Sequence, residues 1–187
     1  MSASVTVIDG ATNQTTTVSV GLGPYGVALN PVTNKVYVAN SGSDDVTVID
    51  GATNQTATAA VGTGPRAVAV NPVTNKIYIA NRLSDDVTVI DGATNGTTRV
   101  PAGRMPYNPA VNPVTNRIYV ANHDGTDLTV IDGATNLATL VPLGASPRAV
   151  AVNPVTNEIY TANWSGNNVT VIDGATNDTS SVPAGAY

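Results

Sequence analysis

Read as apolar and polar positions, the chain is a succession of short apolar runs cut by Gly, Pro, Asn and Asp. Ala67-Val68-Ala69-Val70 ends at Asn71-Pro72, and Lys76-Ile77-Tyr78-Ile79-Ala80 ends at Asn81. Asp86-Val87-Thr88-Val89-Ile90 then runs into Asp91-Gly92, and Thr97-Thr98-Arg99-Val100 leads into Pro101. Short runs rich in Val, Ile, Thr and Tyr, bounded by turn-forming residues, read as strands. Asp-Gly between two such runs is a hairpin signal. No run is long enough for a helix, and Pro punctuates every unit. The pattern predicts an all-β chain.

The pattern also recurs. Val5-Thr6-Val7-Ile8-Asp9-Gly10-Ala11-Thr12-Asn13 returns from Val46, Val87, Leu128 and Val169, each time 41 residues on. Asn30-Pro31-Val32-Thr33-Asn34 returns at Asn71, Asn112 and Asn153 with the same step. Residues 5–45 and 46–86 agree at 30 of 41 positions without insertion or deletion. A period of this length filled with four short strands is the signature of a propeller blade. Counting outward from the channel, strand A is expected near 25–29, 66–70, 107–111 and 148–152, and strand B near 35–39, 76–80, 117–121 and 158–162. Strand C is expected near 45–49, 86–90, 127–131 and 168–172, and strand D near 55–61, 96–100, 137–141 and 178–182. The expected units are a half blade at 5–20, holding strands C and D only, and full blades at 21–61, 62–102, 103–143 and 144–184. Together they make one propeller domain, or part of one, shaped as an open arc. Uncovered blade faces at its two ends invite association. The expected partner is a second copy completing a ring as a homodimer, or the remainder of a longer chain.

Asn71-Pro72-Val73-Thr74-Asn75-Lys76-Ile77-Tyr78-Ile79-Ala80-Asn81, followed by Ser84-Asp85-Asp86-Val87-Thr88-Val89-Ile90-Asp91, resembles the YVTN family of β-propeller repeats. Val36-Tyr37-Val38-Ala39-Asn40 departs from that signature only in Ala39, and Tyr160-Thr161-Ala162-Asn163 is a looser copy. The resemblance covers essentially the whole chain. It implies a propeller of the kind found in bacterial and archaeal surface and exported proteins, hence an extracellular or cell-surface location. It carries over no catalytic residues, because the repeat has none in common.

Composition narrows the chemistry. A hydrophobic content of 42% suffices for a core, and 11% charged residues argues against disorder. With no Cys there is no disulfide framework, thiolate metal site or Cys nucleophile. A net charge of −5 argues against duplex nucleic acid, which is bound by neutralising phosphates. Met1-Ser2-Ala3-Ser4 has neither the basic nor the apolar region of a signal peptide. No apolar run approaches the ~18 residues that cross a bilayer.

Antiparallel order puts the A–B and C–D turns on one face and the B–C loops and D–A links on the other. The turns on the first face are identical in every unit. Those on the second differ: Asn40-Ser41-Gly42-Ser43, Asn81-Arg82-Leu83-Ser84, Asn122-His123-Asp124-Gly125 and Asn163-Trp164-Ser165-Gly166. Constant turns need only backbone geometry, whereas variable loops on a rigid frame carry recognition. The candidate ligand-binding residues are therefore Tyr25, Arg66, Arg82, Arg104, Tyr107, His123, Arg148 and Trp164, a set rich in the Arg and aromatic types that anchor interfaces.

Other chemistry is weakly supported. His123 is the single histidine and reads as a solvated loop residue; without a second His or a Cys, a zinc site lacks its usual ligands. The pairs Asp44-Asp45 and Asp85-Asp86 lack the alternating oxygen spacing of a calcium loop and read as loop ends. A catalytic carboxylate should be singular, yet nearly every Asp recurs blade by blade. Sequons at Asn13, Asn54, Asn95, Asn163, Asn168 and Asn177 mostly fall in turns that need Asn for geometry. No cofactor, metal ligand or catalytic residue is assigned. The reading is a non-enzymatic binding or surface-structural module, with a protein or glycan ligand. A channel-mouth lyase or hydrolase and a single-stranded nucleic-acid binder remain as alternatives.

Overall fold

A computed structural model describes residues 3–185. Its first element pair is a hairpin, β1 (Ser4–Ile8) and β2 (Thr15–Ser19). Four antiparallel sheets follow, each of four strands in sequence order. They are β3 (Pro24–Asn30), β4 (Lys35–Asn40), β5 (Asp45–Asp50) and β6 (Thr56–Ala60), then β7 (Pro65–Asn71), β8 (Lys76–Asn81), β9 (Asp86–Asp91) and β10 (Thr97–Pro101). The third comprises β11 (Pro106–Asn112), β12 (Arg117–Asn122), β13 (Asp127–Asp132) and β14 (Ala138–Pro142), and the fourth β15 (Pro147–Asn153), β16 (Glu158–Asn163), β17 (Asn168–Asp173) and β18 (Thr179–Pro183). The innermost strands β3, β7, β11 and β15 lie side by side in that order, so the sheets stack as radial blades. The arc is open. The half blade and four full blades expected from the sequence are all present, with strand bounds shifted by a residue or two.

The stacking explains why strands B and C read as nearly continuous apolar runs and not as alternating ones. Both faces of a blade are covered, as in any sheet packed on two sides. On β4, Val36 and Val38 pack back against Val5, Val18 and Val20 of the hairpin, while Tyr37 packs forward against Ile77 and Ile79 of the next blade. The same hand-over recurs from Tyr78 to Ile118 and Val120, and from Tyr119 to Ile159. The core is thus a series of equivalent slabs between blades, and its largest fully buried side chains include Tyr37, Tyr78 and Tyr119.

Polar contacts repeat at the same period. On the constant face, Asn30 donates to Asn75 Oδ1, Asn71 to Asn116 and Asn112 to Asn157, all at 2.9 Å, joining each A–B turn to the next. Lys35 and Lys76 donate to the carbonyls of Gly92 and Gly133 at 2.8 and 2.7 Å, and Arg117 to that of Gly174 at 2.6 Å. The constant turns are occupied with holding blades together. That accounts for their invariance without any ligand.

Candidate recognition face

Each B–C loop and the D–A link beside it form one hydrogen-bonded unit. Asn81 Nδ2 donates to Asp86 Oδ1 (2.7 Å) and to Thr88 Oγ1 (2.8 Å), and Thr88 Oγ1 also accepts the N–H of Gly62 in the link (3.2 Å). A Cβ on Gly62 would lie 2.5 Å from Ser84 Oγ and 2.6 Å from Asp86 Oδ1, so the close approach requires glycine. The same triad stands at Asn40/Asp45/Thr47 and at Asn122/Asp127/Thr129, and at Asn163/Asn168/Thr170 with an amide in the acidic position. The first Asp of each acidic pair has its own duty. Asp44 accepts the N–H of Gly64 and Asp85 that of Met105, both at 2.8 Å. These carboxylates are internal staples of the loops, a more specific role than the loop ends expected from sequence. Among the described residues no group of three His, Asp or Glu side chains could hold a metal ion.

Strand A enters each blade through a bulge. The ladder skips between Pro24 and Gly26, Pro65 and Ala67, Pro106 and Asn108, and Pro147 and Ala149. The skipped residues are Tyr25, Arg66, Tyr107 and Arg148. A bulge frees one residue from the ladder and re-aims its side chain, here toward the mouth of the channel. Spacing alone does not expose this device; the Gly-x-Gly-Pro entry to β3 and β7 is its only trace.

Re-aimed in this way, the side chains form a row. The Arg66 guanidinium lies 4.0 Å from the centroid of the Tyr25 ring and 4.8 Å from that of Tyr107, and donates to the Tyr25 hydroxyl at 2.6 Å. Tyr107 in turn sits 5.5 Å from the His123 ring. Arg148 stacks 4.7 Å from Trp164. Cation–π contacts of this kind contribute about 0.5–1 kcal/mol at exposed sites. The Tyr107 phenol is held below its ordinary pKa, first by the hydrogen bond from Tyr25, then by Arg66 and more distantly by Arg148. His123 is half-buried against Tyr107, whereas its sequence context suggests a solvated loop residue.

Six of the eight candidate residues are thus brought together: Tyr25, Arg66, Tyr107 and His123 in one group, Arg148 and Trp164 beside it. Arg104 is turned to Asp124 in a 3.0 Å ion pair. Arg82, on the outer loop, has no stacking contact with the row. A cavity of about 520 Å³ opens next to Arg148 and Trp164, lined also by Tyr107, Asn108, Ala162 and Val169. Ala162 and Val169 correspond to Ala39 and Val46, which are fully buried under the following blade. The cavity is therefore the counterpart of a place that a neighbouring blade fills elsewhere in the arc.

Four-stranded radial blades with a decorated channel mouth define a β-propeller. Comparison with solved structures agrees. Hydrazine synthase of Kuenenia stuttgartiensis superposes with a TM-score of 0.76 at 22% identity, over 89% of this chain and 51% of that one. The dihydro-heme d1 dehydrogenase NirN, solved in complex with DHE, gives 0.84 at 16% identity over 98% and 42%. A structure of the nidogen/laminin complex gives 0.72 at 10% over 97% and 74%. The chain spans about half or less of the length of the first two. At these identities the likeness is one of fold. No family model and no curated protein matches the chain.

Proposed function

We propose that the chain is a non-enzymatic recognition module of the YVTN repeat type, displayed outside the cell or at its surface, that binds a protein or glycan through the D–A/B–C face. The observation that carries this reading is the convergence of the variable residues into one Tyr–Arg–Tyr–His row, exposed at Tyr25 and half-buried beyond it, with an adjoining exposed Arg–Trp pair. The invariant turns of the opposite face are taken up by blade-to-blade bonds. The nidogen/laminin complex shows a neighbour of this fold in a protein assembly. The uncovered flanks at the two ends of the arc are proposed to be covered by a second copy, completing a ring, or by further blades of the same polypeptide.

The test is a set of glycan and peptide arrays probed with the chain and with two variants. The chain is expected to be retained on at least one ligand, Arg66→Ala/Arg148→Ala to weaken retention tenfold or more, and Val73→Asp to leave it unchanged. Val73 is 74% exposed on the constant face. Retention insensitive to the double substitution but lost with Val73→Asp would place recognition on the wrong face in this proposal. Retention on no array would remove it.

A further inference from the structure

Resting on that reading, we infer that the channel mouth binds an acidic saccharide, whose anionic groups are held by Arg66 and Arg148 and whose ring lies on the exposed aromatic planes beside them. The cations of the chain are unequally engaged. Of its 8 Lys and Arg residues, Lys35, Lys76 and Arg117 join blades, Arg99 pairs with Asp86, and Arg104 pairs with Asp124. Among the described residues, neither Arg66 nor Arg148 meets a carboxylate. Both are on innermost strands, and both are held in place by aromatic rings.

The nearby carboxylates are directed to other donors and do not pair with them. Asp44 and Asp85 accept link N–H groups, Asp86 and Asp127 accept Asn amides, and Asp124 has Arg104. Among the described residues Arg66 and Arg148 thus stand at the mouth without an ion-pair partner. The Arg66 guanidinium is held between the Tyr25 and Tyr107 rings and by its bond to the Tyr25 hydroxyl, so it has little freedom left to lose on binding. A preorganised planar fork is the group that recognises a carboxylate.

The rest of the surface selects the ligand body. Tyr25 and Trp164 are 58% and 60% exposed and adjacent to the two arginines, and the cavity beside Arg148 and Trp164 has room for a ring. Such planes suit the apolar face of a hydroxylated ring. A nucleic-acid strand is less well served. Three cations outside any ion pair among the described residues, Arg66, Arg82 and Arg148, give a salt slope of only about −2 for a single strand.

Calorimetric titration of the intact chain with four probes tests this: trigalacturonate, maltotriose, hexaglutamate and a thymidine hexanucleotide. Trigalacturonate is expected to bind at least tenfold more tightly than each of the other three. That binding should weaken with added salt and fall tenfold or more in Arg66→Ala/Arg148→Ala, with part of it restored in Arg66→Lys/Arg148→Lys. Circular dichroism checks that the variants keep the fold. Equal binding of maltotriose would overturn the anionic requirement, and tighter binding of hexaglutamate or the oligonucleotide would overturn the saccharide. Both results leave the recognition face standing, because the arrays judge that face separately. Binding of none of the four overturns the ligand class alone.

Discussion

The three forward-facing tyrosines show how a repeat imposes the same polar difficulty on several residues at once. Tyr37, Tyr78 and Tyr119 are fully buried; the hydroxyls of Tyr37 and Tyr78 have no hydrogen-bond partner among the described residues, whereas that of Tyr119 lies beside the Arg117 guanidinium. Burial raises all three phenols, Asp91 adds to the effect on Tyr37 and Asp132 to that on Tyr78, and Tyr78 is pushed up to about 12. An acid whose folded pKa lies above its unfolded value near 10 stabilises the fold below that value and loses the contribution as pH rises. Stability should therefore fall between about pH 10 and pH 12. Tyr78→Phe removes an unsatisfied hydroxyl while keeping the ring, so it should cost little or stabilise at pH 7 and should flatten the alkaline loss. Urea midpoints measured across that pH range test both parts; a loss of several kcal/mol at pH 7 would show that the hydroxyl has a partner after all.

The blade depends on small polar triads as much as on its apolar slabs. Thr88 Oγ1 accepts from both Asn81 and Gly62, in a site from which water is excluded. Thr88→Val keeps the shape and leaves two buried donors unsatisfied, a loss of roughly 2–6 kcal/mol at about 1–3 per group. Thr6 holds the same repeat position in the exposed half blade, so Thr6→Val should fall within about 0.5 kcal/mol of wild type. Chemical denaturation of the pair measures the difference. The C–D turns are tied down differently. In Asp91 the carboxylate accepts the N–H groups of Thr94 and Ala93 and the Thr94 hydroxyl, and in that order these lower its pKa below 3.8. The same is true, with small changes of order, of Asp9, Asp50, Asp132 and Asp173. A depressed carboxylate stabilises above its unfolded pKa and loses that contribution as pH drops through the folded value. NMR titration should find all five below 3.8, and their joint replacement by Asn should reduce the acid sensitivity of folding.

At the scale of the molecule, almost all of the fold is legible in the sequence, because a 41-residue repeat states each strand several times over. The candidate face is legible only as a list of variable positions. What joins Tyr25, Arg66 and Tyr107 is a one-residue bulge at the entry of strand A, and a bulge leaves the spacing of apolar positions beyond it unchanged. The engagement of Arg104 by Asp124 is likewise invisible, since nothing in the residue types separates a paired loop arginine from a free one. The ends of the arc are the opposite case, where repetition makes the departure measurable. Ile8 is 63% exposed, while Ile49, Ile90, Ile131 and Ile172, its equivalents, are between 0 and 2%. Val7 is 39% exposed against 4% for Val48. Leaving such side chains in water forgoes about 1.5–3 kcal/mol for each when fully exposed, so an association that covers them has a clear driving force. Analytical ultracentrifugation of the chain should find assemblies larger than a single copy. Val7→Glu/Ile8→Glu, which puts charge on β1 where no ladder bond is lost, should return them to monomers with the same circular dichroism spectrum. A wild-type chain that stays monomeric at high concentration would mean that the exposed edge is tolerated, and the proposed covering of the flanks by a second copy would fall with it.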